Sequence, residues 1–222
     1  MTGRSVRVAV IDSGVHASHP HISRIAGGVT IGERSEESSF IDLIGHGTAV
    51  MAAIQEKAPD AEYFAVRVFQ SELRTSIDIL VRAIEWCIEQ RMDVINLSLG
   101  TGNPAHAQRF APLIPRAGIL VSAREVNGQP SIPGSMPGVI GVGVDWDLPR
   151  ESYTCRNGGE FYASGYPRSI PGVPKERNLN GISFAVANMT GFAVRVCQQL
   201  ETLTFDAVCS ELAARSARSQ SV

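Results

Sequence analysis

The sequence predicts an α/β fold with a mostly parallel central sheet flanked by helices, and three observations carry that expectation. Asp93–Leu99, Gly118–Ala123 and Val139–Val144 are short, continuously apolar runs bounded by turn residues, the pattern of strands covered on both faces. Segments whose apolar residues recur at three- and four-residue spacing alternate with strand-like runs along the chain, as βα units require. The chain has 222 residues, 44% of them apolar and 19% charged, which suits a sizeable core and excludes wholesale disorder.

The elements follow in order. Val6–Ile11 is β-rich and stops at the turn signal Asp12-Ser13-Gly14. Thr48–Lys57 is Ala-rich and helix-favouring, closed by Pro59. Glu62–Phe69 alternates β-branched and aromatic residues and reads as a strand. Ile77, Leu80, Val81, Ile84 and Ile88 form one helical stripe, with Thr75 or Ser76 available as N-cap. After the three apolar runs, residues 145–180 are rich in Gly, Pro, Asn and Ser and read as loop, with one short strand at Glu160–Ala163. A helix beginning near Ser183 and a second over Phe205–Ala214 close the chain, and Arg215–Val222 reads as a frayed tail. With no repeat and no linker, residues 1–222 read as a single domain.

Composition excludes several functions. Twenty basic against 22 acidic side chains leave a formal charge of −2 without any basic run, so nothing suggests a nucleic-acid partner. The longest apolar stretches are strand-length, too short to span a membrane. No signal-peptide pattern precedes Val6, which leads us to expect a cytoplasmic protein. Cys87, Cys155, Cys197 and Cys209 include no CxxC pair; Cys87 and Cys197 fall in helical patterns as small apolar side chains, and the count leaves one disulfide open.

Three segments concentrate chemistry: Val10-Ile11-Asp12-Ser13-Gly14, Gly45-His46-Gly47-Thr48 and Gly181-Ile182-Ser183-Phe184-Ala185. Asp12 ends a strand, while His46 and Ser183 open helices, and in parallel sheets such ends share one rim. A serine hydroxyl becomes a useful nucleophile when an imidazole accepts its proton. A buried carboxylate on the other ring nitrogen holds the imidazole in the right tautomer and stabilises its cation. A serine at a helix N-terminus also presents its own N–H to a developing oxyanion.

The order Asp…His…Ser, with D-S-G, H-G-T and G-x-S-x-A around the three, resembles the subtilisin-like serine peptidases, the subtilases, over roughly residues 6–200. Ser18-His19-Pro20, Ala58-Pro59 with Ala65-Val66-Arg67-Val68, Val94–Gly100 and Met136–Gly143 look like further family segments in the same order. The resemblance implies a three-layer sandwich around the parallel sheet and peptide-bond hydrolysis without a cofactor or catalytic metal. It assigns Ser183 as nucleophile, His46 as general acid/base and Asp12 as orienting carboxylate. Leu97, Ser98, Leu99 and Gly100 would line a groove in which a peptide or protein substrate pairs as an added strand.

The sequence departs from the family pattern after Gly118–Ala123. There the family has Ala-Gly-Asn, whose amide is the second oxyanion donor, whereas this chain has Ala123-Arg124-Glu125-Val126-Asn127-Gly128. Either Asn127 supplies the donor after a one-residue shift, or Val126 takes its place, or Asn127-Gly128 is a plain turn. Losing one such donor costs roughly 10²–10³ in turnover, about 3–4 kcal/mol, a magnitude that comes from a subtilisin itself. Ile182 and Ala187 also replace a usual threonine and proline around the nucleophile. The start of the chain leaves no room for a prodomain, so we expect unassisted folding or, by slight preference, docking onto a larger protein partner.

His16, His19 and His21 could suggest a metal, but no Cys or acid lies at ligand spacing. Glu33, Arg34, Glu36 and Glu37 read as a solvated loop rather than a calcium site. The leading expectation is a serine endopeptidase that processes a specific precursor peptide. The rival is a weakened pseudo-peptidase that binds peptides or scaffolds a complex. A nucleotide-binding domain is set aside, because neither GxGxxG nor a Walker loop is present.

Overall fold

The computed structural model describes residues 5–32 and 36–219. Nine strands form one sheet: β1 (Arg7–Asp12), β2 (Gly27–Ile31), β3 (Glu36–Glu37), β4 (Glu62–Arg67), β5 (Val94–Leu97), β6 (Ile119–Ala123), β9 (Ile140–Val144), β10 (Tyr153–Arg156) and β11 (Glu160–Ala163), with β7 (Glu125–Val126) and β8 (Gln129–Pro130) forming a separate ribbon. The order across the sheet is β10-β11-β9-β6-β5-β1-β4-β2-β3. Every pairing between β11 and β2 is parallel, and only the outermost strands, β10 and β3, run antiparallel.

β1 shows how the sheet takes its helices. Val8 and Val10 face a core shared with α1 (His46–Lys57), α4 (Ile182–Cys197) and α5 (Phe205–Ser219), while Ala9 and Ile11 face a second core under α2 (Ile77–Glu89). The expected layers are therefore present, and period-two alternation directs Asp12 toward α1 and α4. In α2 the buried residues are Leu80, Ala83, Ile84 and Cys87, flanked by the more exposed Ile77, Val81 and Ile88, and the Ser76 hydroxyl caps the helix by accepting from the Ile79 N–H at 3.3 Å. The short α3 (Ala107–Phe110) seats Phe110 in that second core. α4 is buried continuously from Phe184 to Val194, so its apolar residues surround the whole helix as in a central core element.

Several boundaries differ from the sequence expectation. β2 and β10 form where no strand was expected; β10 is a short edge strand, Tyr153 and Cys155 against the core, that among the described residues pairs only with β11. α5 runs on to Ser219, so Arg215 is helical and not part of a frayed tail: it donates to Glu211 one turn earlier and to Gln199. Residues 220–222 lie outside the described residues, as do Glu33 and Arg34 of the charged loop. No disulfide joins the four cysteines; Cys87 and Cys197 are buried and Cys155 and Cys209 half-buried. Among the described residues no helix is long and apolar enough to cross a membrane.

Candidate active site

Asp12 is the last residue of β1 and His46 the first of α1, so the sheet rim sets the carboxylate against the helix start. His46 Nδ1 and Asp12 Oδ1 are 2.8 Å apart, with the carboxylate buried and the imidazole side chain 16% exposed. The same Asp12 oxygen accepts the Ser13 N–H at 2.7 Å, while Oδ2 is buried without a hydrogen-bond partner among the described residues. Burial alone would push the His46 pKa down; the hydrogen bond and charge of Asp12, then the charge of Asp42, outweigh it and lift the pKa above its ordinary value.

Glycine makes this packing possible at one place. A Cβ on Gly47 would run into the carbonyl oxygen of Gly14, so the β1–loop turn and the first turn of α1 touch backbone to backbone.

Ser183 is the second residue of α4 and follows Gly181, whose φ of 150° opens the helix. Its neighbour Phe184 packs against the His46 ring, with centroids 5.6 Å apart and planes tilted by 43°, which brings the serine-bearing turn to the same rim. The Ser183 hydroxyl donates to the Ser98 carbonyl at 3.1 Å, and the Ser98 hydroxyl donates back to the Ser183 carbonyl at 3.1 Å. Among the described residues, no hydrogen bond joins Ser183 to His46.

The reciprocal pair is the top of a buried polar ladder. Asn96 Nδ2 donates to Ser98 Oγ at 2.9 Å and Thr190 Oγ1 donates to Asn96 Oδ1 at 2.9 Å, tying α4 to β5. The expected groove segment shortens accordingly. Leu97 is fully buried toward α2 and pairs with both Ile11 and Ser122, so it is a sheet residue, while Ser98, Leu99 and Gly100 run beyond the strand end.

Asn127 finds a different explanation. It and Gly128, with φ of 52° and 75°, form the two-residue turn of the exposed β7–β8 hairpin, where a left-handed backbone favours Asn-Gly. The Asn127 side chain has no hydrogen bond among the described residues, and the turn accounts for its identity. The plain-turn alternative left open by the sequence therefore has the hairpin geometry behind it.

His16, His19 and His21 sit together on the loop after β1, His19 and His21 edge to face at 5.2 Å, and among the described residues no group of three His, Cys, Asp or Glu could hold a metal ion. Sequence reasoning missed Asp42, whose carboxylate takes five hydrogen bonds beside this site. Its signal was present, an Asp ahead of a glycine turn and a helix start, the pattern of an Asx-type cap.

The sequence profile described as the subtilase family matches residues 3–219. The chain belongs to the subtilase family. It is 32% identical over 212 residues to Subtilisin E of Bacillus subtilis (strain 168), which covers 86% of this chain and 53% of that protein. To the thermostable alkaline protease of Halalkalibacterium halodurans it is 32% identical over 226 residues, covering 91% of this chain and 59% of that one. It is also similar to a crystal structure of a cold-adapted subtilisin-like serine proteinase, with a TM-score of 0.75 at 20% identity, over 96% of this chain and 83% of the other. This subtilase thus spans about half the length of several curated relatives it matches.

Proposed function

We propose that this subtilase is a serine endopeptidase in which Ser183 attacks the scissile carbonyl, His46 moves the protons and Asp12 orients His46. The observation that carries the reading is the 2.8 Å contact between His46 Nδ1 and the buried Asp12 carboxylate. An ionised carboxylate only accepts, so Nδ1 carries the proton and Nε2 is left as the base. The Ser183 hydroxyl leaves the Ser98 carbonyl, rotates to Nε2 and loses its proton there as its oxygen bonds to the substrate carbon. The resulting oxyanion meets the Ser183 N–H at the start of the 16-residue α4, where first-turn N–H groups lack intrahelical partners. His46 then gives its proton to the leaving amine, and water, activated by the same imidazole, hydrolyses the acyl-enzyme.

Exposed side chains around the rim support a reading of the substrate class. Ile41 and Leu43, on the segment entering α1, and Leu179, ahead of Ser183, are 56%, 68% and 51% exposed. Apolar side chains on both approaches favour a peptide with apolar residues near the cleaved bond, and we extend this to limited processing of a particular precursor in place of bulk digestion. A second reading, a peptide-binding pseudo-peptidase, is favoured by the Ser183 hydroxyl resting on Ser98 and by the turn role of Asn127. A fluorophosphonate probe separates the two: stoichiometric labelling that disappears in Ser183→Ala supports the peptidase, and folded protein that stays unlabelled supports the binder.

A further inference from the structure

Asp42 is only 7% exposed, lies on the loop before α1 and belongs to none of the three chemistry-bearing segments. One oxygen, Oδ1, accepts from the Ser13 hydroxyl at 2.8 Å, the Ile44 N–H at 2.9 Å and the Gly45 N–H at 2.8 Å. The other, Oδ2, accepts from the Thr48 N–H at 2.8 Å and the Thr48 hydroxyl at 2.6 Å. Ser13 Oγ accepts in turn from the Gly47 N–H at 2.8 Å.

These bonds fasten the residue after Asp12 to the residues on both sides of His46. They also do what α1 cannot do for itself. Its N-cap, Gly45, has no side chain, and the orphan N–H groups of Gly47 and Thr48 are satisfied by Ser13 and Asp42 from outside the helix. Burial would push the Asp42 pKa up, but the hydroxyl and N–H donors around it hold it below the usual carboxylate range, so it is charged wherever His46 titrates.

We propose that Asp42 is a positioning residue for the Asp12–His46 pair: it clamps the His46 turn onto the end of β1, and its fixed negative charge supports the imidazolium formed during turnover. The proposal rests on the peptidase reading of the same site, and Asp42 itself touches no substrate. The charges that bear on His46 are Asp12 and Asp42, with the Phe184 ring on its other side. On its outer side Asp42 borders a cavity of about 330 Å³ that it shares with His16, His19, His21 and Arg168.

The test uses the full chain with Asp42→Asn, Ser13→Ala and Thr48→Val, each checked for folding by circular dichroism. The His46 ring is titrated by NMR, and kcat and KM are measured on a fluorogenic peptide across pH. Asp42→Asn removes the charge and turns an amide N–H toward the Thr48 N–H. We expect His46 to titrate at lower pH and kcat to fall about 10²-fold with KM unchanged, the loss that a misplaced catalytic group brings. Ser13→Ala and Thr48→Val keep the charge, so they lower kcat while His46 titrates as in the parent. A folded Asp42→Asn protein with the parental titration and kcat overturns the proposal. Should Asp42→Asn not fold, unchanged kcat in both other variants overturns it. If the parent neither turns over nor labels, the peptidase reading fails instead, and the NMR titration still decides whether the Asp42 charge reaches His46.

Discussion

Replacing Asp12 by asparagine tests the carboxylate at the centre of the site. Asp12 Oδ1 receives two N–H groups, from His46 Nδ1 and from Ser13, whereas Oδ2 has no partner among the described residues. The amide oxygen of the introduced side chain will therefore occupy the Oδ1 position and its NH₂ group the Oδ2 position. The His46 tautomer survives, and what is lost is charge. Two unit charges 2.8 Å apart at an effective dielectric of ~20 attract by ~6 kcal/mol. That is a ceiling of about 10⁴ in rate at 1.36 kcal/mol per tenfold, and because burial of the imidazole already opposes its charging, we expect a fall of about 10³ in kcat/KM. The pH profile moves with it. Protonated His46 cannot accept a proton from Ser183, so activity falls as pH drops through the His46 pKa. That pKa is raised in the parent, so the acid limb lies above the ordinary imidazole range and shifts to lower pH in Asp12→Asn. Hydrolysis of a fluorogenic peptide from pH 5 to 9 reads both quantities. Parental kcat/KM in the variant, or a limb that stays in place, refutes Asp12 as the electrostatic partner.

Three other perturbations test the scaffold. Asn96→Ala removes the acceptor of the Thr190 hydroxyl in a buried ladder, which should cost about 1–3 kcal/mol and lower Tm by roughly 2–4 °C per kcal/mol in calorimetry. Gly47→Ala drives a methyl group into the Gly14 carbonyl, a backbone atom that cannot yield cheaply, and should lower stability by about 1–3 kcal/mol and slow fluorophosphonate labelling. Burial, aided by the nearby Arg150, depresses the Lys57 pKa from 10.5 to about 8, so between those values the unfolded chain binds a proton that the native state has released. Stability linked to Lys57 is thus full above pH 10.5 and lost as pH falls through about 8, a difference on the order of 3 kcal/mol. Lys57→Met should raise Tm at pH 7, and the gain should vanish by pH 10.5.

What the sequence disclosed tracks how local the signal is. Asp12, His46 and Ser183 each sit in a glycine-marked segment, so their places at the ends of β1, α1 and α4 could be read without coordinates. The parallel core strands were legible because double burial leaves uninterrupted apolar runs, as in β5 and β6. β10, an edge strand in which Tyr153 and Cys155 alternate with Thr154 and Arg156, has no such run. α5 outlasts its apolar pattern because Arg215 finds Glu211 and Gln199, a tertiary reward that periodicity does not encode. Asp42 was missed for a related reason: its partners come from the β1 end and the α1 start, and only folding assembles them. Asn127 is the converse case, a motif-like residue that sequence alone leaves between donor and turn and that sits in a hairpin turn.

The two halves of the site are unequally prepared, and the inequality predicts how it will work. His46 is locked to Asp12, and both are framed by Asp42. Ser183 differs: its hydroxyl rests on Ser98, and reaching His46 costs one neutral hydrogen bond, about 0.5–1.5 kcal/mol. That is a small barrier to reactivity. A site without a second oxyanion donor would forgo about 3–4 kcal/mol, and both acylation and deacylation pass through an oxyanion. If the site is slow, the oxyanion side and not the resting serine rotamer is the larger cause. We therefore expect fluorophosphonate labelling of Ser183 to reach one probe per chain, at a rate roughly 10²–10³ below that of a subtilisin with both donors measured alongside. Labelling as fast as that reference would mean that another N–H group completes the oxyanion site, and the cost assigned to the missing amide would be wrong.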